Sequence, residues 1–237
     1  MEDKLQQGLI AKGELHPEDK KYFEKYPAPI FELLVRNHYI QINHTTPFYG
    51  ILLYSIIRAI QALSVAEIGV GYGWCSYFMA MAVKENMTRY QANGRYLAID
   101  ISVKPKNLFD LMEKDGLPVK FIQCNSLEIK SKDYIFENRK LDLIFQDGNH
   151  ETKHCFKELD EIYPALKDNG NGYLICHDTN AWCEEYFKAL RKDPRYKFEY
   201  ISFPQNYGLT FFRNMANYDY DKIRFPLTKE MRENPIW

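Results

Sequence analysis

The chain has 237 residues, of which 46% are hydrophobic and 27% charged, with a formal net charge of −1. That balance excludes disorder as the main state, because there is ample apolar surface to bury, and it gives no electrostatic reason to expect a nucleic acid or a membrane as partner. No apolar run reaches the roughly 18 residues that a membrane span needs. The longest, Ile51 to Leu63, is broken by Ser55, Arg58 and Gln61. Met1-Glu2-Asp3-Lys4 has no apolar core behind its charges, unlike a secretory leader. The five cysteines, Cys75, Cys124, Cys155, Cys176 and Cys183, form no C-x-x-C pair. They read as reduced thiols of a cytoplasmic protein, without a disulfide framework or a structural zinc.

In chain order, residues 1–45 form an irregular to helical extension with charged stretches around Pro17, Pro27 and Pro29, and are expected to serve as a lid or pocket wall. Tyr22, Phe23, Tyr26, Tyr39 and Phe48 are candidates for lining an aromatic or sugar pocket, or for packing. Thr46-Pro47 opens a helix that runs to residue 63, with Thr46 as cap and Pro47 in the first helical position. From there short apolar runs alternate with amphipathic stretches. Strands are expected at 65–70, 95–100, 119–124, 141–147, 172–178, 198–203 and 209–213, and helices at 74–84, 106–114, 153–166 and 181–191. Alternation of this kind predicts βαβ units. The fold class is therefore α/β: a Rossmann-like, doubly wound, mostly parallel seven-stranded sheet with helices on both faces. The last two strands follow one another without a helix, across a turn containing Asn206 and Gly208, and so predict an antiparallel C-terminal hairpin. Residues 46–214 make up this unit, and 215–237 form a polar, aromatic tail. Glu158, Asp160 and Glu161 alternate with apolar residues and read as the wet side of their helix.

The strongest motif is Glu67-Ile68-Gly69-Val70-Gly71-Tyr72-Gly73-Trp74, placed after a strand and before a helix. Glycines there let the backbone turn tightly and approach a ligand, and free N–H groups at the helix start can hold an anion. A dinucleotide fingerprint, G-x-G-x-x-G, would need its third glycine where Trp74 stands. The spacing argues against NAD and for another nucleoside ligand. Asp100, at the tip of the second strand, has the carboxylate needed to accept from both ribose hydroxyls. Asp147-Gly148-Asn149-His150 and His177-Asp178-Thr179-Asn180 end the fourth and fifth strands, where open parallel sheets bind ligands. His150 titrates near neutrality and can act as a general base; the alternative is a histidine that caps the next helix or pairs with Glu151. Asp147 and Asp178 together offer a hard divalent cation two carboxylates.

Glu67-x-Gly69-x-Gly71-x-Gly73 followed by Asp100, with Thr46-Pro47, Asp147-Gly148-Asn149-His150 and His177-Asp178-Thr179-Asn180-Ala181-Trp182, resembles the class I S-adenosylmethionine-dependent methyltransferases over roughly residues 45–214. Within them the chain is similar to small-molecule O-methyltransferases of the catechol and caffeoyl-CoA type and of the macrocin type. The resemblance implies S-adenosylmethionine as cofactor and a small hydroxylated acceptor, with Mg²⁺ as an optional second cofactor and a homodimer as the assembly. It implies that Gly69, Gly71 and Gly73 pack against the methionine and ribose, that Glu67 anchors the loop or reaches the methionine amine, and that Thr46 flanks the methionine end. Tyr72 or Trp74 would face the sulfonium or pack, and Asn125 and Ser126 would sit by the adenine, where the family more often has an acid. Asp147 and His150 would carry catalysis, with Asp147 and Asp178 as metal ligands. The chain departs from the catechol type by having Asp178-Thr179 where that type has Asp-Asn, and from the macrocin type by having His177 before Asp178. His177 is then a substrate contact or a satisfied polar group. The alternatives are N-methylation of a small amine or protein side chain, and a non-catalytic cofactor-binding subunit. The fourth-strand tip has no proline and so lacks the Asn/Asp-Pro-Pro-Tyr/Phe motif of nucleic-acid amino methyltransferases.

Overall fold

The computed structural model describes residues 47–204 and 207–219. The expectations for residues 1–46, with Thr46 among them, for Asn206 and for the tail beyond Asp219 lie outside the described residues, as does the side chain of Phe48. Helix α1 spans Pro47–Ala59, β1 Ser64–Ile68, α2 Trp74–Tyr90, β2 Arg95–Asp100, α3 Lys106–Lys114 and β3 Val119–Gln123. Then come β4 Leu143–Gln146, α4 Thr152–Ala165, β5 Tyr173–His177, α5 Glu184–Leu190, β6 Phe198–Phe203 and β7 Leu209–Asn214. The seven strands form one sheet in the order β3-β2-β1-β4-β5-β7-β6. β1 to β5 pair in parallel with one another, while β7 runs antiparallel to both β5 and β6.

Two apolar layers sandwich the sheet, as expected for strands whose side chains point alternately to both faces. One layer packs α1, α2 and α3 through residues such as Leu53, Ile57, Phe78 and Met112. The other packs α4 and α5 through Leu159, Ile162, Tyr186 and Leu190. The chain winds outward from β1 to β2 and β3, then returns to start β4 and β5 on the other side. The switch point thus falls between β1 and β4, and the crevice beyond their carboxyl ends is where an open sheet of this kind takes a ligand. Ile68 pairs with Gln146 in the register, so Gly69 and Asp147 leave the sheet side by side.

Helix α1 ends at Ala59 and not at residue 63, as Gln61 turns into the left-handed region at φ 59°. Strand β1 ends at Ile68 and not at residue 70, as Gly69 leaves the sheet at φ 82°. Three further boundaries differ, each for a visible reason. Helix α2 runs on to Tyr90, because the Asn86 amide donates to the carbonyls of Ile57 (3.0 Å) and Ala62 (2.8 Å) and holds the extra turns against the end of α1. Strand β4 starts at Leu143. Asp142 turns aside to accept the N–H groups of Leu63 and Ser64, both at 2.8 Å, and an ion pair from Lys167. Helix α5 starts at Glu184, because the carbonyl of Asp178 accepts from the N–H groups of Ala181 and Cys183 and spends residues 178–183 on turns.

Candidate functional site: the crevice at the sheet switch point

The loop after β1 has all three of its glycines in the left-handed region, with φ of 82° at Gly69, 59° at Gly71 and 83° at Gly73. At Gly69 the demand is double, since a Cβ would also lie 2.1 Å from the carbonyl oxygen of Asp147. The missing side chain there lets the tips of β1 and β4 close on one another, and so serves backbone packing as much as ligand approach. Two N–H groups of the loop are occupied. Those of Val70 and Gly71 donate to Asp100 Oδ2 at 2.8 and 3.0 Å, while Asp100 Oδ1 accepts from Ser102 N–H. Asp100 is therefore the strut of the loop and still lines the crevice beside it.

Glu67 is fully buried and accepts hydrogen bonds from the hydroxyls of Ser76 and Tyr96. Burial pushes its carboxyl up to about 8, further than those two bonds pull it down. Those two bonds tie β1 to α2 and β2. Trp74 is buried against Phe78, and Tyr72 lies under the Lys104 ammonium, 5.3 Å from its ring centroid.

Past the loop, Asp147, His150, His177 and Asp178 converge. His150 Nε2 lies 3.0 Å from Asp178 Oδ2 and 3.9 Å from Asp147 Oδ1, so its partners are these carboxylates and not Glu151. The two carboxylates hold the imidazole's proton and push its pKa up to about 10, in spite of burial. His177 is buried, with Nδ1 2.9 Å from Asp147 Oδ1 and 3.3 Å from Asp178 Oδ1. Burial opposes its charge, and the bond to Asp147 overrides burial to raise its pKa. Burial raises Asp147 in turn, and the two histidines outweigh that and hold its carboxyl below the usual range. Asp178 sits at φ 56°, an uncommon conformation for a residue with a side chain, although aspartate tolerates it better than most. Trp182 stacks on His150 at 5.8 Å and on Tyr207 at 5.1 Å.

Asp147, His150 and Asp178 each offer one ligand atom, all within 4.8 Å of one another. His150 Nε2 and Asp178 Oδ1 are buried atoms without an aligned hydrogen-bond partner. Two carboxylates and one imidazole, with donor capacity left over, fit a divalent cation.

The crevice divides into two clefts that meet along Gly69, Gly71 and Asp147. One, of about 230 Å³, holds Glu67, Trp74, His150, His177, Asp178 and Trp182. The other, of about 430 Å³, holds Ile99, Asp100, Asn125, Ser126 and His154. Sequence reasoning named Asp100, Asn125 and Ser126 in this second cleft and missed His154 in its wall. Glu158, expected on the wet face of its helix, is 2% exposed and bonded to Ser126 and Gln146 beneath the cleft. Its spacing beside Leu159 and Ile162 fits either side of the helix boundary, and its polar partners come from distant strands.

Among known proteins, a family model described as a methyltransferase domain matches residues 66–179. Tapetum-specific methyltransferase 1 of Arabidopsis thaliana is 25% identical, over 70% of this chain and 76% of its own length. Caffeoyl-CoA O-methyltransferase 2 of Petunia hybrida is also 25% identical, over 84% of this chain and 88% of its own. The fold matches an S-adenosylhomocysteine-bound methyltransferase of Podospora anserina with a TM-score of 0.62, at 16% identity, over 84% of this chain and 97% of that one. It matches the O-methyltransferase TomG of Streptomyces achromogenes, in complex with S-adenosylmethionine, with a TM-score of 0.61, at 14% identity, over 85% of this chain and 100% of that one. The matched methyltransferase domain, the seven-stranded sheet and the glycine loop at its switch point agree, and the chain is similar to S-adenosylmethionine-dependent methyltransferases and, among them, to O-methyltransferases.

Proposed function

We propose that the chain methylates a hydroxyl group of a small molecule such as a sugar, a phenol or another natural product. The observation that carries this reading is the convergence of Asp147, His150 and Asp178 in the smaller cleft, with Asp147 at its junction with the larger. The larger cleft would take the adenosine, with Asp100 toward the ribose and Asn125 and Ser126 toward the base. The smaller would take the methionine along Glu67, Gly69, Gly71, Tyr72 and Gly73, and Asp147 would border both. When bound, S-adenosylmethionine supplies an electrophilic methyl carbon for in-line displacement by the acceptor oxygen.

The protein's own contribution is position and proton handling. Holding acceptor and donor in line removes much of the entropic barrier. His150 takes the hydroxyl proton at Nε2, and Trp182 covers one face of its ring. Asp147 and Asp178 orient the imidazole, but their charges also keep it protonated near neutrality. Base action by His150 therefore calls for alkaline pH or for positive charge beside the carboxylates. Asp147 and Asp178 would hold a divalent cation, which would supply such charge and lower the pKa of an acceptor hydroxyl. Incubating the protein with methyl-labelled S-adenosylmethionine and a panel of phenols, catechols, sugars and small amines, with and without Mg²⁺ or Mn²⁺, tests the proposal. Label appearing in an O-methyl ether supports it. Label found only on amines would overturn it in favour of N-methylation, and cofactor binding with no transfer would favour a non-catalytic subunit.

A further inference from the structure

The most elaborate polar cluster outside the reacting end lies under the larger cleft. Glu158, on α4 and 2% exposed, is ringed by donors. Its Oε1 accepts the Ser126 hydroxyl at 2.5 Å and lies 3.1 Å from His154 Nε2. Its Oε2 accepts the Gln146 amide at 2.6 Å. His154 Nε2 is also 3.1 Å from Ser126 Oγ. Ser126 and His154 both line the cleft, on the side that also holds Asp100.

The chemistry of this arrangement is directional. A hydroxyl has one proton, and Ser126 gives its proton to Glu158. What remains at Oγ is acceptor capacity. His154 Nε2 faces a carboxylate oxygen and a hydroxyl oxygen whose proton is committed, which assigns the ring hydrogen to Nε2. In the neutral ring Nδ1 is then an acceptor as well. Ser126 Oγ therefore presents acceptor capacity at the cleft wall, and its complement is a ligand N–H.

We propose that Glu158 and His154 are positioning residues that lock Ser126 as a hydrogen-bond acceptor, so that this wall selects a nucleobase with an exocyclic amine, adenine, over one with a carbonyl in that place. The proposal rests on reading the larger cleft as the adenosine site. The acid that the third-strand tip lacks, where Asn125-Ser126 stands, is supplied from α4 and acts through the serine. Gln146 fixes the far oxygen of the carboxylate, so the hydroxyl cannot turn Glu158 toward the ligand.

The test compares S-adenosylhomocysteine with S-inosylhomocysteine, whose base has a carbonyl in place of the amine, by calorimetric titration of the full chain and of Ser126→Ala and Glu158→Gln. A site built to hydrogen-bond a ligand N–H penalises the analogue that lacks it. The parent protein is expected to favour S-adenosylhomocysteine by about 30-fold or more. Ser126→Ala, a change at the cleft wall, is expected to cut that ratio to about threefold, mostly by weakening the adenine ligand. Glu158→Gln frees the serine proton to donate to a carbonyl, so S-inosylhomocysteine should bind this variant more tightly than it binds the parent. A purely structural role for Glu158 would weaken both ligands alike and leave the ratio intact. An unchanged ratio in Ser126→Ala, or no preference in the parent, overturns the proposal while leaving the cofactor reading standing. If the parent binds neither ligand, the cofactor reading falls and the proposal falls with it. Unfolding midpoints confirm that each variant is folded, and the Ser126→Ala result decides if Glu158→Gln is not.

Discussion

Charge governs the reacting residues. His150 stands between Asp147 and Asp178, and its pKa rises from 6.5 to about 10. A cation stabilised by folding contributes fully below its unfolded pKa and loses that contribution as pH climbs through its folded pKa. The gap in unfolding temperature between the parent and His150→Ala, measured with a chelator present, should therefore narrow between pH 6.5 and 10; a constant gap would contradict the pairing. The same substitution should leave S-adenosylhomocysteine affinity near that of the parent and lower turnover by about 100-fold or more. Unchanged turnover would remove the base assignment. Glu67 follows the same sign over a more acidic window. Its carboxyl, raised from 4.5 to about 8, binds its proton more tightly when folded, so the protein loses stability as pH rises through that window. Glu67→Gln removes the loss, and its unfolding midpoint should gain on the parent's from pH 4.5 to 8. At this scale the strand-tip residues were legible, because Asp147, His150 and Asp178 follow directly on short apolar runs. Glu158 and His154 were not, because periodicity assigns a residue to a helix face and says nothing of a serine or glutamine brought to it from another strand.

Among the elements, the glycine loop and the tip of β4 form one joint. The N–H of Asp147 donates to the carbonyl of Ile68 at 2.8 Å, and Gly69 lies where any Cβ would meet the Asp147 carbonyl. Gly69→Ala therefore combines a left-handed φ with a clash against backbone that cannot rotate away. It should cost about 2 kcal/mol or more of stability and weaken S-adenosylhomocysteine binding in the remaining folded protein. Denaturant unfolding and calorimetry measure the two effects, and a variant as stable as the parent would show that the joint opens freely. The glycine spacing in the sequence predicted a ligand loop and excluded a dinucleotide fingerprint. It did not show that the loop's own N–H groups are spent on Asp100, since that depends on the parallel pairing of β1 with β2. The ends of α2, β4 and α5 were misplaced for a similar reason. Asn86, Asp142 and Asp178 set them through bonds to backbone groups elsewhere in the fold or through turns that helical propensity does not encode.

For the molecule as a whole, strand–helix alternation was enough to give the mostly parallel sheet, and the absence of a helix between the last two strands gave the hairpin of β6 and β7. The strand order puts the switch point between β1 and β4, and it brings together a loop and two strand tips that are far apart in the chain. No described helix is long and apolar enough to cross a membrane. The central claim is that this crevice is an S-adenosyl site with Asp100 at its ribose. Calorimetric titration of the parent and of Asp100→Ala with S-adenosylhomocysteine tests it most directly. The account predicts micromolar binding to the parent and affinity at least about tenfold weaker in Asp100→Ala, because the substitution removes both the ribose acceptor and the strut under Val70 and Gly71. No binding to the parent, or equal binding to both proteins, would contradict it.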